Sequence, residues 1–109
     1  AVAIAFAREG ADVLISYLCE DKDAQDTARL VEEAGRKAVC VAGDIGSAEH
    51  CREIVKRAVD ALGGLDILVN NAGIYRGGPI EEMTLDDVDA TLNVNVFDPL
   101  GLMKFSFTA

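Results

Sequence analysis

Polar residues at four places in the chain have types and spacings that could do chemistry. Asn70-Asn71-Ala72-Gly73 sets two amides, each both donor and acceptor, ahead of two residues small enough to let a ligand approach the backbone. Ser16 and Tyr17 close one apolar run and Asp44 and Ile45 follow another, so both pairs stand where a strand would end. Asn95 shares the helical spacing of Leu85, Val88, Leu92 and Val96, which places it on the buried side, and a buried amide needs partners. Asn93, two residues away, faces another side. Each has a plain alternative. Asn-Asn and Ala-Gly are ordinary turn residues; Asp44 can cap a turn ahead of Ser47; Asn95 can be a surface residue on a frayed helix.

The elements that must position these residues follow one phrase, spoken three times: a helical stretch, a glycine at its end, then a short β-branched strand. Helix AVAIAFARE runs through Gly10 into ADVLISY; VEEA runs through Gly35 into RKAVCVAG; AVDAL runs through Gly63-Gly64 into LDILVN. The glycines suit the left-handed position just past a helix. Cys51, Ile54, Val55, Ala58, Val59 and Leu62 form an apolar stripe on the third helix, with Ser47 as its N-cap. Ala24, Thr27, Ala28, Val31 and Ala34 repeat the stripe more weakly on the second. The strands 12–17, 37–43 and 65–69 are apolar almost without alternation, as expected of a parallel sheet covered on both faces. A last helix opens at Thr84, favoured by Asp86 and Asp87, and runs through Asn95; Asp98-Pro99 and Gly101 then interrupt it. The fold class is therefore α/β, a doubly wound parallel sheet in a single domain spanning 1–109. Open sheets of this kind bind ligands outside the carboxyl ends of their strands, where all these polar residues fall except the helical Asn95.

Composition narrows the class of partner. The 109 residues carry a net charge of −9, which argues against nucleic acid and against an anionic membrane surface. Half of the residues are hydrophobic, enough for one core, yet no stretch approaches a membrane span. Cys19, Cys40 and Cys51 are an odd number without CxxC spacing, and His50 is the single histidine, so the expectation is buried thiols in a reducing compartment, no metal, and a cytoplasmic setting. The first residues already read as helix with no cap before them, as if the chain begins mid-structure.

LDILVNNAG at 65–73, together with GDI at 43–45, resembles the signature of the short-chain dehydrogenases/reductases, Rossmann-type NAD(P)-dependent oxidoreductases. The resemblance covers 1–97, under half of a full member, and leaves the tail 97–109 as divergent or out of frame. It implies that Asn70, Asn71, Ala72 and Gly73 lie beside the cofactor, that Asp44 accepts from the adenine amino group, and that Ile45 packs nearby. Cofactor choice is read beside Ser16, at the end of VLISY, where Tyr17 replaces the carboxylate that would accept from the ribose of NAD; this leans to NADP, with Lys22 a distant candidate for its phosphate. Asn95 in VNVF is similar to the family's helix asparagine, which keeps a water and the catalytic lysine in place for proton relay.

Two family parts are missing from 1–109. The glycine-rich phosphate turn would precede Ala1, and no Tyr-x-x-x-Lys occurs, since Tyr17 and Tyr75 are followed four residues on by Asp21 and Pro79. In the family's 3-2-1-4-5-6 order the absent first strand lies between 12–17 and 65–69, so the expected sheet has a hole. The resemblance thus implies a piece of a hydride-transferring enzyme acting on a carbonyl or secondary alcohol, its parent a homodimer or homotetramer. The rival reading is a truncated, inactive chain that pairs through 84–104 or binds nucleotide only in part. A flavodoxin-like or response-regulator domain shares the alternation but predicts neither NNAG nor an asparagine on an apolar face. Loop 74–83 carries nothing diagnostic of a sugar, steroid or acyl carrier.

Overall fold

The computed structural model describes residues 2–71 and 79–106. Helix α1 (Val2–Arg8) leads into strand β1 (Val13–Tyr17), helix α2 (Asp21–Glu33), strand β2 (Ala38–Ala42) and helix α3 (Ala48–Leu62). After a 3-10 turn at Ile80–Glu82 come helix α4 (Leu85–Leu92), a π-helical turn at Asn93–Phe97, and helix α5 (Asp98–Ser106).

Local chemistry explains most of the boundaries. Ser47 accepts from the His50 N–H at 3.2 Å to start α3, and Gly63 ends it at φ +85°. Gly10 and Gly35 take the same left-handed region at φ +99° and +83°, as their places after helices lead one to expect. Thr84 and Asp87 form a reciprocal capping box at the head of α4. Pro99 sits comfortably in the first turn of α5, but it has no N–H for the Asn95 carbonyl. The ladder widens over Asn93–Phe97, and helix continues beyond it. The expected interruption at Asp98-Pro99 is thus a change of helical register.

β1 and β2 pair in parallel, from Val13 opposite Ala38 to Tyr17 opposite Ala42. One carboxylate pins the near end: Asp12 Oδ1 accepts from Arg36 Nε and from the Lys37 N–H, each at 2.9 Å. At the far end the Gly43 N–H donates to the Tyr17 carbonyl at 2.9 Å. Because successive strand residues point to opposite faces, Cys40 turns to α2, donating its thiol to the Ala24 carbonyl, while Val41 joins Cys51, Ile54 and Leu102 under α3 and α5. Helices therefore cover both faces. On the α2 side Val31 is 0% exposed; burying such a side chain stabilises by about 1.5–3 kcal/mol.

The third expected strand, 65–69, is a correction. Among the described residues it makes no ladder, and the sheet has two strands. A strand exists through its neighbours' backbone groups, and no described strand stands between this segment and β1. Leu68 still packs against the Val41–Cys51–Ile54 cluster, whereas Ile67 and Val69 are 60% and 47% exposed.

Candidate functional site

Two of the polar pairs meet at the carboxyl ends of β1 and β2. Tyr17 and Gly43 are joined through the backbone, and Asp44 follows directly. Gly43 is required there twice over: its φ is +150°, and the His50 ring occupies the place a Cβ would take. His50 Nε2 is enclosed and has no hydrogen-bond partner among the described residues. Asp44 is exposed and folds a turn on itself, its Oδ1 accepting from the Gly46 N–H at 2.8 Å and its carbonyl from the Ser47 N–H at 3.1 Å. The plain reading of Asp44 as a turn residue therefore holds for Oδ1. Ile45 is half-buried against the core beneath α3, and its carbonyl accepts from the Cys51 thiol at 3.0 Å.

Ser16 is exposed and Tyr17 half-buried. The Asp21 carboxylate in the first turn of α2 favours the protonated Tyr17 hydroxyl and raises its pKa above the ordinary tyrosine value, with burial adding to the rise. Asn70 and Asn71 are exposed, two and three residues beyond Leu68, which shares the core with Ile45. Ala72 and Gly73 lie outside the described residues.

Asn95 is not where the helical spacing placed it. It is exposed, in the middle of the π-helical turn. The stripe meant to bury it is open too: Leu85 is 82% exposed and Leu92 and Val96 remain well exposed. The physical reason is that α4 packs only against the turn that continues it, so its apolar face meets no other described element. Asn93 is exposed as well. It lines an open cleft of about 360 Å³ between the first turn of α3 and the start of α5, with Ile45, Gly46, Cys51, Phe97 and Asp98.

Sequence reasoning missed this cleft. Asn93, Phe97 and Gly101 recur at four-residue steps along one helical face, a signal hidden by the stronger stripe through Leu92 and Val96. The Asp98 carboxyl is pushed above the ordinary carboxylate range by burial and then by the Asp44 charge. Burial, followed by Asp98 and Asp44, raises the Cys51 thiol; burial, followed by Glu32, raises Cys40. Both thiols are held protonated and unreactive. Cys19, expected to be buried, is exposed, because the chain leaves β1 two residues before it. Among the described residues no three ligating side chains cluster as a metal site, and no helix is long and apolar enough to cross a membrane.

Comparison with known proteins agrees with this architecture. The family model described as short chain dehydrogenase matches residues 1–108, so the tail expected to be divergent or out of frame falls within the match. General stress protein 39 of Bacillus subtilis is 43% identical over 105 residues, covering 95% of this chain and 37% of that protein. A double mutant of a Serratia marcescens short-chain dehydrogenase/reductase superposes with a TM-score of 0.94 at 36% identity, over 98% of this chain and 44% of that one. A short chain dehydrogenase from Burkholderia cenocepacia J2315, solved in complex with NADP, superposes with a TM-score of 0.90 at 43% identity, over 98% of this chain and 44% of its own. The chain thus spans less than half the length of these relatives. Matched along nearly all of its residues by sequence and by fold, the chain belongs to the short-chain dehydrogenase family.

Proposed function

We propose that the protein carrying this chain is an NAD(P)-dependent oxidoreductase that moves a hydride between nicotinamide and a carbonyl or secondary alcohol, and that this stretch forms the adenosine half of its cofactor site. The observation that carries the reading is the meeting of Tyr17, Gly43 and Asp44 at one strand edge. The residues fit such a ligand. Asp44 has one carboxylate oxygen committed to Gly46, and the other is open to an amino-group donor. Ile45 offers an apolar surface beside it, and the exposed amides of Asn70 and Asn71 can both donate and accept. When bound, the nicotinamide supplies or takes up the hydride; residues of this chain hold and orient the other end of the cofactor.

Residue 17 carries no carboxylate to repel a 2′-phosphate, which favours NADP over NAD, with exposed Lys22 as the candidate cation. The NADP bound to the Burkholderia relative supports the same choice. Asn95 takes the role of the family's helix asparagine, keeping a water in the proton relay. The family's Tyr-x-x-x-Lys does not occur in 1–109, so these residues alone carry no turnover. The rest of the reading is a single nucleotide-binding domain in a cytoplasmic homodimer or homotetramer with a small-molecule substrate.

Titration of the full-length protein with NADPH and NADH, followed by cofactor fluorescence, tests the reading. Saturable binding, tighter for NADPH, is expected; no response to either nucleotide overturns it. The exposed apolar side chains of Leu85, Leu92, Phe97 and Leu100 favour a second reading, an association module, for which oligomers would form without any nucleotide binding.

A further inference from the structure

Asp44 can read a ligand only if the backbone ahead of it is held still, and that backbone is Gly43, the residue type with the widest conformational freedom. Gly43 sits at φ +150° and is held from two sides. From the strand side, its N–H donates to the Tyr17 carbonyl at 2.9 Å. From the helix side, the His50 ring lies on its bare Cα, with Cε1, Nε2 and Nδ1 all standing where a Cβ would go. The residues that follow are tied to the same first turn of α3. The Asp44 carbonyl accepts from the Ser47 N–H at 3.1 Å, Ser47 Oγ accepts from the His50 N–H at 3.2 Å, and the Ile45 carbonyl accepts from the Cys51 thiol at 3.0 Å.

The ring acts here by shape. His50 Nε2 is enclosed and meets no hydrogen-bond partner among the described residues, a cost that no bond to this atom offsets. What the side chain contributes is its contact with Gly43. We propose that His50 is a positioning residue for the cofactor: by packing on Gly43 it fixes the turn and holds the open oxygen of Asp44 in place for an amino-group donor. This role rests on the cofactor reading above. A loop ordered before the ligand arrives does not lose that freedom on binding, so the ring acts on affinity through Asp44 without touching the nucleotide.

The test compares nucleotides that differ at the edge Asp44 would read. Full-length wild type, His50→Ala, His50→Leu and His50→Asn are titrated by fluorescence with whichever of NADPH or NADH binds tighter, with its hypoxanthine counterpart, and with reduced nicotinamide mononucleotide. The hypoxanthine form carries a carbonyl oxygen in place of the adenine amino group, and the mononucleotide lacks the adenosine. His50→Ala should weaken binding of the adenine form by roughly tenfold, the worth of fixing the backbone of about one residue, and should shrink the preference for adenine over hypoxanthine. Mononucleotide binding should not move. His50→Leu, which fills the space without a polar atom, should bind like wild type. His50→Asn, which loses the far edge of the ring, should fall between; it decides the matter if the alanine variant fails to fold. An adenine preference unchanged in the truncated variants, an equal weakening of the mononucleotide, or a leucine variant as weak as alanine overturns the role of His50 and leaves the cofactor reading intact. Failure of wild type to bind any of these nucleotides overturns both.

Discussion

At the scale of single residues, two aspartates respond to pH with opposite sign. Accepting from the Lys37 N–H, and then from Arg36, holds Asp12 below the ordinary carboxylate value. Its contribution to stability is present above that ordinary value and is lost as the pH falls through the depressed one. Asp98 is held above it, by burial first and Asp44 second. Folding therefore disfavours its ionised form, a penalty present at neutral pH and lifted as the pH falls through the raised value toward the ordinary one. Asp98→Asn should raise the urea midpoint at neutral pH, and the gain should vanish near about pH 3, where the wild-type carboxyl is protonated folded or unfolded. A midpoint that does not move at neutral pH would contradict the burial argument. Tyr17 supports a second prediction. Tyr17→Asp places a carboxylate at the end of β1, and the preference for NADPH over NADH, measured as the ratio of kcat/KM in the full-length protein, should fall by roughly tenfold or more, the effect of setting like charges together.

At the scale of elements, caps and glycines do what their types suggest, and burial depends on neighbours. The reciprocal bonds of Thr84 and Asp87 start α4 without help from packing, since its apolar face meets no other described element. Thr84→Ala should accordingly cost about 1 kcal/mol, and far-ultraviolet circular dichroism should show the loss as fraying confined to the 84–97 region. α3 is the opposite case. Its capped start and its buried stripe of Cys51, Ile54, Val55 and Ala58 agree with each other, which is why its boundaries and its inward face were both legible from spacing alone. For α4 the stripe was legible and the burial was not, because a helix cannot bury a face by itself.

For the whole molecule, the governing fact is that β1 pairs with β2 alone among the described residues, while 64–71 takes no regular structure and joins no ladder. Unmade backbone bonds of that kind, beside exposed Ile67 and Val69, favour association. The 109-residue chain produced alone is expected to sediment as oligomers or to unfold without a sharp transition. A monomer with one cooperative transition would show that the open edges are satisfied within the chain.

By itself, the sequence determined what depends on local chemistry and on short periods. The first two turns of the helix–glycine–strand rhythm, the Ser47 and Thr84 caps, the left-handed glycines and the parallel pairing of the first two apolar strands appear in the fold. GDI and NNAG, being short motifs, also pointed to the family that the comparisons then supported. Tertiary structure alone decided whether 65–69 becomes a strand, because a ladder needs a partner that no local signal supplies. It also decided that Asn95 is exposed, because the apolar face of α4, on which its spacing placed it, meets no other described element. And it packed α5 on α3, so that the charge of Asp44, far away in the chain, is felt at Asp98, an effect that only the folded arrangement creates.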